Sequence, residues 1–271
     1  MPYRHAWLFI IGLIAATVFA FWRSYFTVLA TSPAGFHAHG LTASLWMLLL
    51  LAQSYTPHRG RMALHRLSGR AMFVVMPLFA AGSMGVLHSM AAGTGGGDPF
   101  YDLWGARLGY MDILAFAGVL YAAAMALRHR RNVRLHAGYM LSTALLLVSP
   151  VFGRVINQTV PGLIIAGPQD FPLFGWAAQL ASACAALVAL WLWQRDPRHG
   201  RPWAVALLVI VVQIIGFETV AAGTPWRAVF ESLAVLPLLA LMAFGLAAGA
   251  AAMVVGWTAV ARRGGPRAAA A

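Results

Sequence analysis

Arginine is partitioned along this chain. Apolar stretches long enough to span a bilayer are separated by loops that are by turns rich and poor in arginine. A spanning helix needs about 20 mostly apolar residues at a rise of 1.5 Å each. Eight segments meet that requirement: Ala6 to Ala30, His37 to Tyr55, Leu67 to Met90, Leu108 to Leu127, His136 to Val160, Phe174 to Trp193, Trp203 to Ala222 and Pro237 to Val260. With 61% hydrophobic and 10% charged residues, against about a quarter charged in ordinary globular domains, a water-soluble fold is excluded. The expected fold is an all-α polytopic bundle of about eight transmembrane helices, forming one integral membrane domain over residues 1–271. Trp226 to Leu236, which holds Arg227 and Glu231, reads as a short interfacial helix before the break at Pro237.

The loops set an orientation. Arg59, Arg61, Arg66 and Arg70 follow the second segment, Arg128, Arg130, Arg131 and Arg134 the fourth, and Arg195, Arg198 and Arg201 the sixth, while Arg262, Arg263 and Arg267 lie in the tail. These places share one side. Asp98, Asp102, Asp170 and Glu231 fall on the other, with Arg107 and Arg227 as its loop arginines. By the positive-inside rule both termini are expected in the cytoplasm of a bacterium, with the chain in the inner membrane. The net charge of +12 would suggest nucleic acid in a soluble domain. Here it sits in short loops between spans, so the expected partner is the lipid bilayer and not nucleic acid. The single Cys184 excludes an intrachain disulfide and any C-x-x-C motif. The first segment runs on through Phe21, Trp22, Tyr25 and Phe26 without a small-residue cleavage site, and reads as an anchor. The glycines between Ala91 and Arg107 read as a flexible loop.

Ionisable groups within a span are costly, by about 2.5 to 3.5 kcal/mol on insertion scales, and are usually paired or line a cavity. Counted at 1.5 Å per residue, Arg23 and Arg154 fall about 10 Å, and Asp112 and Glu218 about 6 Å, from the arginine-poor ends of their segments. Two positive and two negative charges at one depth suggest either helix-pairing salt bridges or an outward-facing cavity. On the second segment His39, Thr42, Trp46 and Gln53 form one stripe, and on the fifth His136, Met140, Thr143, Pro150, Arg154 and Asn157 form another. Both stripes should face protein.

Histidines occur in pairs at matched depth: His39 with His88 near the arginine-poor face, and His65 with His136 near the arginine-rich one. Neutral imidazole ligates haem iron and transition metals, and an interfacial, hydrogen-bonded role is the alternative for each pair. H-E-x-x-H, nucleophilic triad, P-loop and dinucleotide signatures are all missing from the sequence. No catalytic residue or metal-ligand set is therefore assigned.

Phe36-His37-Ala38-His39-Gly40, then Trp46, Gln53, Gly60-Arg61, Leu64-His65-Arg66 and Gly69-Arg70 resemble a motif of uncharacterised bacterial polytopic membrane proteins. The resemblance covers roughly Phe36 to Val160. Helix number and histidine placement are in turn similar to small b-type cytochrome bundles. That likeness implies haem b held by His65 and His136 or by His39 and His88, propionates paired with Arg23 or Arg154, and a respiratory-chain or quinone partner. One departure matters: His65 and His88 are 23 residues apart, about 34 Å of helix, and the fourth segment has no histidine. One haem fits better than two. The expectation is a haem-binding redox or haem-handling membrane protein. The competing readings are a small-molecule transporter with an outward-facing polar site, a metal-handling or oxidase-assembly factor, and a structural membrane partner.

Overall fold

The computed structural model describes residues 2–259 and is all-α. The tail arginines Arg262, Arg263 and Arg267 lie outside the described residues. The α-helices are α1 (Ala6–Phe21), α2 (Ala34–His58), α3 (Met62–Arg70), α4 (Met72–Gly93), α5 (Pro99–Arg128), α6 (Val133–Leu146), α7 (Val148–Thr159), α8 (Leu173–Arg195), α9 (Arg201–Glu218), α10 (Thr224–Ser232) and α11 (Leu238–Thr258). With α6 and α7 counted as one span, seven helices among the described residues are long and apolar enough to cross a membrane. Large apolar side chains such as Trp176, Leu187, Leu239 and Phe244 are exposed on the outside, where only lipid can meet them. The chain is a polytopic membrane helical bundle.

The first segment departs from the expected 25-residue span. Its α-helix ends at Phe21, and Phe26–Thr31 is a 3-10 turn. The 16 residues of α1 nevertheless run from one face of the bundle to the other. Tyr3 receives a hydrogen bond from the Trp203 indole at the start of α9, and the Ala20 carbonyl receives one from Gln158 near the end of α7.

Two further boundaries differ from the sequence expectation, and each has a local cause. The supposed loop Ala91 to Arg107 is helical from Pro99 onward. The Asp98 carboxylate accepts from the Phe100 and Tyr101 amides and proline occupies the first turn, so the chain carries a complete N-cap with a pre-set φ. The segment holding His136 breaks into α6 and α7 at Leu147. Pro150 has no N–H for the Leu146 carbonyl, and its ring crowds that turn.

The helices form a closed ring in which α1 packs on α2, α2 on α4, α4 on α11, α11 on α5, α5 on α9, α9 on α8, α8 on α7, and α7 on α1. The α6–α7 span crosses the ring obliquely, with α6 against α5 and α9. The α2–α4 and α4–α11 seams are the closest. A Cβ on Gly35 would collide with the Gly85 carbonyl, and one on Gly249 would lie 2.7 Å from Pro77 Cα. Such small-residue seams let van der Waals packing hold helices together where lipid removes the hydrophobic drive. The short α10 follows at the arginine-poor face, as expected between Trp226 and Leu236, and docks on α5 through Phe230 against Gly109 and the Trp226 indole on the Ala106 carbonyl.

Candidate functional site

The two polar stripes face the interior, except that Pro150 of the second is exposed. On α2, Trp46 is fully buried and donates to Thr143 of α6 at 3.3 Å, and Gln53 donates to the His65 carbonyl and Ser68 hydroxyl of α3. On α6 and α7, Met140, Thr143 and Asn157 are buried.

The four ionisable residues do not form one network. Arg23 is exposed in the turn after α1. Glu218 ends α9 and pairs at 3.1 Å with Arg107, and its side chain is 56% exposed. Both had been placed within spans, and both lie at helix ends. Asp112 moves the other way: because α5 begins at Pro99, Asp112 sits 13 residues, about 20 Å, along a helix of 30. It is at mid-helix, where a carboxyl is hardest to accommodate.

Asp112 and Arg154 belong instead to an interior group with His39 and Tyr101. Ring contacts link three of them: Arg154 lies over the Phe174 ring, Phe174 meets Phe100 at 5.0 Å, Phe100 meets Tyr101 at 5.4 Å, and Tyr101 stacks on Phe36, one helical turn before His39. All four side chains lie deep within the protein mass, yet each keeps accessible surface. Helix α7 lies on α1 and α8 and, among the described residues, makes no extensive packing with α2, α4 or α5.

Aromatic rings lie against three of these groups. Phe36 stacks on Tyr101 at 6.1 Å, Phe79 lies 5.8 Å from the His39 ring, and the Arg154 guanidinium rests 4.5 Å from the Phe21 ring centre and 5.7 Å from that of Phe174. Arg154 donates to the Pro150 carbonyl at 2.9 Å. Among the described residues nothing hydrogen-bonds the His39 ring, the Tyr101 hydroxyl or the Asp112 carboxylate, and His39 Nδ1 is buried without a partner.

His39 and Arg154 lie near the ends of their own helices. A Cβ on Gly82 would lie 2.9 Å from His39 Cα, so His39 sits level with a residue 11 positions, about 16 Å, below the end of α4. Yet His39 is only five residues from the start of α2, and Arg154 five from the end of α7, each about 8 Å. Helices α1, α2 and α7 thus stop short where α4 and α5 continue, and the segment after α1 covers the end of α2, with the Tyr25 hydroxyl 2.8 Å from His37 Nδ1.

The histidine pairs fare differently. His88 Nε2 meets the Leu236 carbonyl at 3.1 Å, six residues beyond the Gly82 that contacts His39. His39 and His88 are not brought together. His65 and His136 are: their rings lie 6.4 Å apart between centres, almost perpendicular. His136 Nδ1 contacts the Ala126 carbonyl at 2.9 Å, which leaves Nε2 available, and His65 Nδ1 is buried without a partner. His65 also leaves the helix expected for it, since a bend at Ala71 separates the amphipathic α3 from α4.

Burial, and next the neighbouring His136, hold the His65 imidazole below the usual histidine value of 6.5. The unfolded chain then binds this proton more readily than the folded one, so its contribution to stability is lost as pH falls through the ordinary value. The melting temperature in detergent should fall between about pH 7.5 and 5.5, and His65→Gln should flatten that fall. An undiminished pH dependence in the variant would locate the proton elsewhere.

Among the described residues no group of three or more His, Cys, Asp or Glu side chains could hold a metal ion. Comparison with protein-family models, curated proteins and solved structures finds no match. The fold defines the class, a polytopic membrane protein.

Proposed function

We propose that His39, Tyr101, Asp112 and Arg154 line a polar chamber in which the chain binds a small polar molecule, reached from the arginine-poor face, as a transport-type membrane protein does. The carrying observation is the buried His39 Nδ1 without a hydrogen-bond partner, together with the Tyr101 hydroxyl and Asp112 carboxylate, which nothing hydrogen-bonds among the described residues. Buried polar groups are nearly always satisfied, so these are suited to partners that arrive from outside. By the arginine distribution that face is periplasmic.

Access is tested by thiol labelling. With Cys184→Ser as background, His39→Cys in proteoliposomes should react with a small charged thiosulfonate, because a thiol ionises only where water reaches it. Met76→Cys, at a fully buried position, should not react. A silent His39→Cys in folded protein would remove this reading.

A second reading, one haem b held by His65 and His136, rests on their separation. Their ring centres lie 6.4 Å apart, and two imidazoles each binding one metal through a nitrogen at about 2.0 Å would stand at a similar separation. The carbonyl contact of His136 Nδ1 is the usual outer support for a ligating imidazole. Bound there, haem would supply one-electron chemistry, and Arg66 and Arg70 on α3 lie near enough in sequence to meet its propionates. Protein produced with ample haem should show a Soret band that His136→Gln abolishes or shifts and His199→Gln does not. Colourless wild-type protein would end this reading and leave the chamber untouched.

A further inference from the structure

Helix α3 has one side docked on the bundle. Gln53 of α2 donates to the His65 carbonyl and the Ser68 hydroxyl and lies 3.4 Å from a Cβ placed on Gly69, while the His65 ring lies against that of His136. At about 100° per residue, Leu64 and Leu67 then fall on one flank and Arg66 and Arg70 on the other. All four are exposed, Leu67 by 64%. We propose that this outer surface binds an anionic phospholipid of the surrounding bilayer, with its phosphate between Arg66 and Arg70 and its acyl chains along Leu64 and Leu67.

The arginines here have no acid to neutralise them. Arg59, Arg61, Arg66 and Arg70 are all exposed, the first acid in the sequence is Asp98, and among the described residues none of the four forms an ion pair. Arg134, by contrast, is paired with Asp196 at 3.1 Å. Arg66 and Arg70 stand four residues apart on one helix, a spacing at which like charges repel. An anion seated between them relieves that repulsion, and each guanidinium offers a planar set of donors matched to phosphate oxygens.

The level of α3 suits a lipid better than an anion from solution. Aromatic rings gather at headgroup depth in membrane proteins, and such rings bracket α3 in the chain. Before it, Trp7 meets Tyr55 at 5.7 Å and the Arg59 guanidinium lies 5.3 Å over the Tyr55 ring. After it, Phe73 meets Trp257 at 5.5 Å and the Arg130 guanidinium lies 3.9 Å over that indole. A soluble anion would leave Leu64 and Leu67 uncovered, whereas acyl chains remove them from water. Amphipathic helices at a bilayer surface take this arrangement, with the apolar flank at the acyl boundary and the basic flank among the phosphates. A zwitterionic lipid brings its own cation to the phosphate and adds no net charge. Phosphatidylglycerol and cardiolipin lack that cation and are the lipids this surface selects.

Full-length protein in detergent, titrated with phosphatidylglycerol or with phosphatidylcholine of the same chain length and read by native mass spectrometry, should hold its tightest anionic lipid at least about tenfold more strongly than the zwitterionic one. Arg66→Gln with Arg70→Gln should remove most of that preference. Arg128→Gln with Arg131→Gln, which takes the same charge from another exposed stretch of this face, should leave it. Leu64→Gln with Leu67→Gln should weaken retention of the long-chain lipid although both arginines remain, and millimolar inorganic phosphate should not displace it. Melting temperature without added lipid checks that each variant is folded. Arg66→Lys with Arg70→Lys, which keeps the charge and loses the planar donors, should fall between wild type and the glutamine pair, and supplies the test should that pair fail to fold. Equal retention of the two lipids by wild type would overturn the proposal, as would equal losses in the two arginine-to-glutamine pairs. Displacement by inorganic phosphate, or a leucine pair that binds as wild type does, would overturn it in favour of a site for a soluble anion.

Discussion

Gly249→Leu should be the most damaging single substitution in the bundle, abolishing monodisperse protein in detergent or lowering its melting temperature more than any other change considered. A Cβ there would lie 2.7 Å from Pro77 Cα and 2.9 Å from Ala80 Cβ, and one on Gly245, a turn earlier, would collide with the Ala80 carbonyl. Overpacking usually costs about 1 to 3 kcal/mol. Here the atoms in the way are backbone atoms of α4 that cannot rotate aside, so about 3 kcal/mol or more is expected. Gly12→Leu is the control, because a side chain there meets nothing within 4 Å and points toward lipid. Fluorescence-detected size exclusion and thermal melting read both variants. Equal behaviour of the two would show that the α4–α11 seam does not hold the bundle together.

Arg154→Met should be the second most damaging. Removing the guanidinium takes away its hydrogen bond to the Pro150 carbonyl and its contacts with the Phe21 and Phe174 rings. Arg154 keeps some accessible surface, and the expected loss is about 1 to 3 kcal/mol. Asp112→Asn in the Arg154→Met background should recover part of it, since both charges are then gone. Glu218→Gln should add independently to Arg154→Met, because its partner is Arg107 on the exposed rim. Strict additivity of the Arg154 and Asp112 changes would show that the two side chains do not sense each other.

Polytopic class was legible in the sequence because lipid imposes one requirement, a continuous apolar run with its backbone bonded internally. That requirement is met segment by segment without knowledge of the neighbours. Inward faces were legible for a similar reason. A helix repeats every 3.6 residues, so the stripes through His39 and Trp46 and through Thr143 and Arg154 could be assigned to the interior before any packing was known. The start of α5 was also written in the chain, as Asp98-Pro99, and was hidden only by the glycines before it.

Partner choice among the polar residues was a different matter. Depth counted along isolated segments grouped Arg23, Asp112, Arg154 and Glu218, and the tertiary structure separated them. Glu218 and Arg23 lie at helix ends, while the early start of α5 carries Asp112 to the level of His39 and Arg154. The same holds for the histidines. His39 and His88 share a depth on sequential segments but not a contact, whereas His65 and His136 meet because α3 bends away from α4 at Ala71 and α6 crosses the ring. The sequence by itself determined that this chain is a membrane bundle and which sides of its helices face inward, since both follow from local repeats and the solvent. Only the tertiary structure decided which inward groups share a space, because that depends on where each helix begins, bends and stops relative to helices far away in the chain.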